Sequence, residues 1–137
     1  MLSNFERIRP AVALVGRVVL GAIMLAHGWS KVIPRGSLYN FAHMVAHMGF
    51  PYWLGYVAAF TEFFGGIVLI LGLLIPVASI GVAIEMAVAI LKVHLRHGLT
   101  GPQGYEFPLS VLAVALFLLA DGPGYLALDR VVFRGGR

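Results

Sequence analysis

Two carboxylates, Glu62 and Glu85, lie deep in apolar sequence, and the same apolar stretches carry His27, Lys31, Lys92 and His94. An ionisable group in hydrocarbon is costly unless it is paired or hydrated. Residues of these types must therefore meet each other or line a wet cavity. Glu62 is the candidate proton acceptor, with Lys31 and Lys92 as the cations within reach. His27, Lys31, Lys92 and His94 can donate hydrogen bonds to the oxygens of a quinone headgroup or another lipid-soluble ligand; interfacial histidines satisfied by water are the plainer reading. His27 and His94 could also ligate a haem from two helices, but nothing else in the sequence demands it, and two lysines crowd the same level. Arg17 and Glu85 read as a structural ion pair fixing helix order, with a proton or redox-coupled role as the alternative. His43 and His47 stand four apart beside Met44 and Met48. Imidazole and thioether suit Cu(I), yet two histidines at that spacing are common on helices, and no metal is expected.

The elements that must hold these groups follow from hydropathy. The chain has 137 residues, 60% hydrophobic and only 12% charged. A soluble domain of this size cannot hide that much apolar surface. Four apolar blocks stand out, about 11–33, 53–75, 77–96 and 107–120. Three of them reach the ~20 residues that span a hydrocarbon core. The fourth gives only ~21 Å of helix. Either the bilayer thins there, or the preceding residues 97–106, rich in glycine, dip below the surface. The expected architecture is all-α: one domain over residues 1–137, an integral membrane four-helix bundle. Phe41, Val45 and Met48 recur at helical spacing, so the first outer loop should contain a short interfacial helix. Gly72 and Pro76 should break the chain into a tight inner hairpin, and Pro108 suits a first helical turn.

Arg7 and Arg9 precede the first block, and Arg130, Arg134 and Arg137 follow the last. Both termini are expected in the cytoplasm. The first block is too long for the apolar core of a cleaved signal. The net charge of +4 is carried largely by arginines at the two ends, which reads as topology and not as nucleic-acid binding. There are no cysteines, which excludes thiol–disulfide chemistry, thiolate zinc sites and iron–sulfur ligation by this chain.

Counting ~1.5 Å of rise per residue from the inner side places Glu62 and Glu85 near mid-depth, almost equidistant from the hairpin. Arg17 comes out slightly below them on the first helix. His27, Lys92 and His94 fall in the outer third, with Lys31 above them and Glu106 entering from the outer side. Arg17, Gly21, Met24, Gly28 and Lys31 form one helical stripe. Glu62 precedes Gly65, Gly66 and Gly72, a seam that permits close helix contact and argues that Glu62 faces inward.

With these motifs in place, the chain resembles the DoxX family of small bacterial and archaeal membrane proteins. The resemblance rests on GRVVLG at 16–21, AHGWSK at 26–31, TEFFGG at 61–66, VHLRHGL at 93–99, GYEFPL at 104–109 and GPGYLALD at 122–129. It covers roughly residues 10–130. The HMVAHM element at 43–48 lies outside the family pattern. The resemblance implies a four-helix membrane bundle linked to quinone-dependent redox systems. One branch is similar to subunits of thiosulfate:quinone oxidoreductase, another to proteins that associate with redox enzymes in oxidative-stress defence. It draws His27 and Lys31 into one motif and implies a ligand site in the outer half, with Tyr105 and Glu106 as its roof.

Three functions compete at this level. The first is a quinone-binding membrane subunit of an oxidoreductase, probed by a lipid-soluble ligand and supplied with electrons by a partner or bound cofactor. The chain carries no evident redox centre of its own. The second is a non-catalytic anchor or assembly factor for a partner protein. The third is a small transporter or proton conduit, for which a homo-oligomer would have to supply the path.

Overall fold

The computed structural model describes residues 2–133, and every regular element among them is helical. Arg134 and Arg137, two of the cations used to orient the C-terminus, lie outside the described residues. The elements are α1 (Leu2–Val32), α2 (Ser37–His47), α3 (Trp53–Leu71) and α4 (Ile75–Ala89), then α5 (Glu106–Asp121) and the short α6 (Asp129–Val132). α4 continues through a π turn, Ile90–His94, and a 3-10 turn, Leu95–His97. Three helices are long and apolar enough to cross a membrane: α1, α3, and α4 with its extension to His97. α5 has 16 residues, or ~24 Å of helix, and falls below that length.

Helix boundaries differ from the apolar blocks where hydropathy is a poor guide. α1 starts at Leu2, well before its apolar block, and runs through Pro10. The proline removes the bond that the Glu6 carbonyl would accept, but Glu6 is exposed and water can replace it. α3 stops at Leu71 because Gly72 adopts a φ of 70°. The Leu73 N–H then closes on the Val68 carbonyl, a glycine-dependent helix ending. Pro76 does not break a helix; it sits in the first turn of α4, where its missing N–H costs nothing.

The α3–α4 turn contains Leu74 at φ 52°, a left-handed conformation that costs a side-chain-bearing residue roughly 1–2 kcal/mol. Asp129 holds it. One carboxylate oxygen accepts from the Leu74 N–H at 2.7 Å and the other from the Ile75 N–H at 3.0 Å. The Leu128 and Asp129 N–H groups donate in turn to the Leu71 and Gly72 carbonyls. The segment after α5 is thus stitched to the turn, and Tyr125 N–H to the Pro10 carbonyl ties it to α1 as well. Asp129→Ala should cost about 0.5–2 kcal/mol, the loss expected for a helix cap. An unchanged melting temperature in detergent would contradict this.

α1 packs on α3, α3 on α4, α4 on α5, and α5 returns to α1. Between them lies a core that includes Leu20, Met24, Leu69, Val82, Met86 and Leu118. The α1–α3 contact is the closest. A methyl group at Gly28 would stand 2.3 Å from the Phe63 nitrogen, and one at Gly66 would stand 2.4 Å from the Leu25 nitrogen. One at Gly21 would meet the Gly66 carbonyl at 2.9 Å. Backbone therefore touches backbone over two turns, and the Arg17–Lys31 stripe is the face of α1 turned to α3. α2 lies across α3 at the end of the molecule away from the α3–α4 turn. Ala42 packs against Gly55, where a methyl would approach the Ala42 Cα to 2.5 Å.

Candidate functional site

The register of the site is set by Gly28, which abuts α3 at Glu62 and Phe63. Lys31 stands about one turn further along α1. A long side chain on a helix leans back toward the helix N-terminus, so the Lys31 ammonium descends to the Glu62 carboxylate and forms an ion pair with it. Glu62 is only 5% exposed, and the Lys31 side chain retains 21% exposure. The Phe41 ring of α2 lies over the same ammonium, 4.6 Å from Nζ. That contact adds a cation–π attraction and closes the cluster on the α2 side.

Glu85 completes the cluster from α4. Glu62 stands ten residues before Gly72, and Glu85 ten residues after Ile75, so the hairpin brings them to one level. The Glu85 side chain lies within electrostatic range of both Glu62 and Lys31. One of its carboxyl oxygens is buried without a hydrogen-bond partner. Three helices therefore supply two carboxylates and one lysine to a single spot, in which Glu62 is buried and Lys31 and Glu85 are half-buried.

Arg17 does not join them, which corrects the expected Arg17–Glu85 ion pair. Its side chain is 1% exposed, and Nη2 donates to the Tyr125 and Leu126 carbonyls at 3.0 and 3.3 Å. Nε and Nη1 have no partner. Asp129 is the carboxylate that acts on it, and the guanidinium presses against Gly72. The cause is helix register. α1 overshoots the α3–α4 turn, so the turn lies beside Arg17 and not below it. Eleven residues separate Arg17 from Gly28, or ~16 Å along the axis, and Glu85 sits at the Gly28 level.

The remaining candidates gather around the start of α5 and do not converge on Lys31. His27, four residues before Lys31, turns to α5 and not to α3. It is exposed and its ring lies 5.5 Å from that of Phe107. His94 is half-buried in the π turn, with Nδ1 at 2.8 Å from the Gln103 carbonyl oxygen. Lys92 and Glu106 are exposed, and Tyr105 is half-buried. The Tyr105 and Glu106 N–H groups close the 98–106 loop on the Gly98 and Leu99 carbonyls. A π turn often marks a functional position in a helix, and Lys92 and His94 both lie in this one.

On α2, His43 is flanked by the rings of Tyr39 at 4.2 Å and Tyr52 at 5.0 Å. The Tyr52 and Tyr56 hydroxyls are 3.0 Å apart. That hydrogen bond, with a smaller push from burial, raises Tyr52 to about 12, so it stays a neutral phenol. No three His, Asp or Glu side chains converge as a metal site among the described residues.

Sequence reasoning missed two contributors. Phe41 was legible only as a periodic apolar residue, because a ring over a cation leaves no spacing signature. Asp129 lies in the closing GPGYLALD segment, and its carboxylate partners are backbone groups 54 and 55 residues away.

The DoxX family model matches residues 12–95 of the chain, the span that contains Lys31, Glu62 and Glu85. A Bacillus subtilis protein named "Putative oxidoreductase CatD" is 31% identical over 122 residues, covering 89% of this chain and 87% of that protein. An uncharacterized protein of Haemophilus influenzae is 29% identical over 137 residues, with 97% of this chain and 99% of that one covered. No solved structure is a significant match.

Proposed function

The chain belongs to the DoxX family, and from that premise we propose that it is an integral membrane subunit of a quinone-linked oxidoreductase or redox-defence system. It takes a quinone or similar lipid-soluble ligand beside Lys31, Glu62 and Glu85. The observation that carries this reading is the buried cluster itself. Two carboxylates share one lysine, and one buried carboxyl oxygen of Glu85, Oε2, has no hydrogen-bond partner among the described residues. Such an oxygen costs about 1–3 kcal/mol or more, and a ligand hydroxyl or water satisfies it. The B. subtilis relative's name supports the redox assignment.

A quinone supplies two-electron chemistry coupled to two protons. The chain's own residues bind it and manage protons. Lys31, whose side chain is open to one-fifth of its surface, donates a hydrogen bond from its ammonium to a headgroup oxygen. Glu62 accepts or returns a proton, and Glu85 holds the second site for it. Phe41 and Phe63 provide apolar cover from α2 and α3. Electrons come from a partner protein or from a cofactor that a partner holds. His27, His94, Tyr105 and Glu106 lie around the start of α5, and Lys92 on the neighbouring π turn; in this reading they border the ligand from that side. In this reading α1, α3, α4 and α5 form a four-span bundle in the inner membrane with both termini cytoplasmic, and α2 lies in the outer interface.

Adding a short-tailed quinone analogue to purified protein in detergent should raise its melting temperature, and Glu62→Gln should reduce that rise. No rise in the wild type, together with no quinone in lipid extracted from the purified protein, would overturn the reading. Co-purification of an unmodified partner at fixed stoichiometry without any quinone would favour the anchor function.

A further inference from the structure

α2 carries a second, separate set of donors. Met44, His47 and Met48 are exposed, Met44 by 51% and Met48 by 42%, and His43 beside them is half-buried. The buried residues of α2 are Ala42 and Val45, so Met44, His47 and Met48 are not buried in docking the helix on α3, while His43 packs against Tyr52. On a helix, residues three and four apart are surface neighbours. His43–His47 and Met44–Met48 are such pairs, and Met44–His47 closes the diagonal. The four side chains form one quadrilateral with a nitrogen pair along one edge and a sulfur pair along the other. A shallow concavity of about 500 Å³ is lined by Tyr39, Asn40, His43, Met44 and His47, so the first three of these donors face one open space. No hydrogen bond engages either imidazole among the described residues, and the Tyr39 and Tyr52 rings fix the plane of His43.

We propose that His43, His47 and Met44 bind a cuprous ion on the exposed face of α2, with Met48 as an exchangeable fourth ligand. The donor set selects the metal. No carboxylate joins the histidines and the chain has no cysteine, so calcium, magnesium and thiolate zinc sites are not on offer. Thioether sulfur is a soft donor that favours Cu(I) over borderline divalent ions. Tyr52, held as a neutral phenol by its hydrogen bond to Tyr56, is a poor ligand. The site is independent of the Lys31–Glu62–Glu85 cluster and involves none of its residues.

The test uses untagged full-length protein in detergent, titrated anaerobically with Cu(I) against a chromophoric chelator. One equivalent of Cu(I) should be withdrawn from the chelator. His43→Ala with His47→Ala should abolish this, and Met44→Leu should weaken it by roughly 10–100-fold, the range seen when a metal site loses even an outer contact. X-ray absorption on the loaded protein should show both nitrogen and sulfur scatterers. Unchanged melting temperatures of the metal-free variants show that the fold survives. Failure to compete with the chelator, equal competition by the double variant, or a nitrogen-only shell would each overturn the proposal.

Discussion

Gly28→Ala should separate α1 from α3 and destabilise the protein by at least about 3 kcal/mol. Overpacking against side chains costs typically about 1–3 kcal/mol because the neighbours can rotate away. At Gly28 the neighbours are the Phe63 nitrogen and Cα and the Glu62 carbonyl carbon, at 2.3, 2.5 and 2.8 Å from the new methyl. Backbone cannot rotate away, so the helices must part. Parting them also lifts Lys31 from Glu62, because Gly28 sets their register. Gly66→Ala should behave alike, since its methyl would meet the Leu25 nitrogen and Cα. Gly65→Ala and Gly16→Ala are the controls: their nearest contacts are single side-chain carbons at 4.0 and 3.8 Å, and both should melt within error of the wild type. Thermal unfolding in detergent separates the two groups. Equal behaviour of Gly28→Ala and Gly65→Ala would mean that α1 and α3 do not touch as described.

Lys31→Met should cost more than Glu62→Gln, although the two residues form one ion pair. Breaking a buried pair by removing one partner costs about 3–5 kcal/mol, mostly through the charge left behind. Loss of Lys31 leaves Glu62 and Glu85 facing each other with no cation among the residues placed at their level. Loss of Glu62 leaves Lys31 with Glu85 still in range, so much of the pairing survives. Adding Glu62→Gln to Lys31→Met should therefore recover part of the loss. A double-mutant cycle on stability measures the recovery. Additive losses, or a costlier Glu62→Gln, would show that Glu85 does not share the lysine.

Much of this cluster was legible before the structure. Glu62 and Glu85 are equidistant from the hairpin because both helices start from one turn, and counting residues is then enough to pair them. The glycines after Glu62 and the Arg17–Lys31 stripe mark faces that only close packing explains. The sequence offers Lys31 as a cation for Glu62, but counting residues puts it well above. That count follows Cα positions, whereas a lysine reaches several ångströms back along its own helix. The partner of Arg17 was not legible for a related reason. Its depth was counted from the start of the apolar block at residue 11, but α1 begins at Leu2 and overshoots the α3–α4 turn. Hydropathy locates apolar surface and carries no information on the relative slide of two helices. That slide is fixed by the Gly28–Phe63 and Gly66–Leu25 contacts, which are tertiary. His27 and Lys31 share a helix face in projection, yet α1 sits between α3 and α5, and the two side chains go to different neighbours.

The α3–α4 turn and the α2 end thus have different chemistry. At the turn, a buried arginine and an aspartate bind backbone groups and lock the segment after α5 to α1, α3 and α4. Toward α2, the polar groups face one another and retain an unfilled hydrogen-bonding position. Arg17 also keeps two buried N–H groups without a hydrogen-bond partner, but its guanidinium is 1% exposed and enclosed by backbone; the functional reading rests on Lys31, Glu62 and Glu85, where a part-exposed lysine meets two carboxylates.

A photoreactive quinone analogue tests that reading most directly. Illuminated with the protein in lipid nanodiscs, it should label peptides from α1 around Lys31, α2 around Phe41 and α3 around Glu62, and excess unlabelled quinone should suppress the labelling. Labelling spread over the lipid-facing helix surfaces, or labelling that excess quinone leaves unchanged, would contradict it.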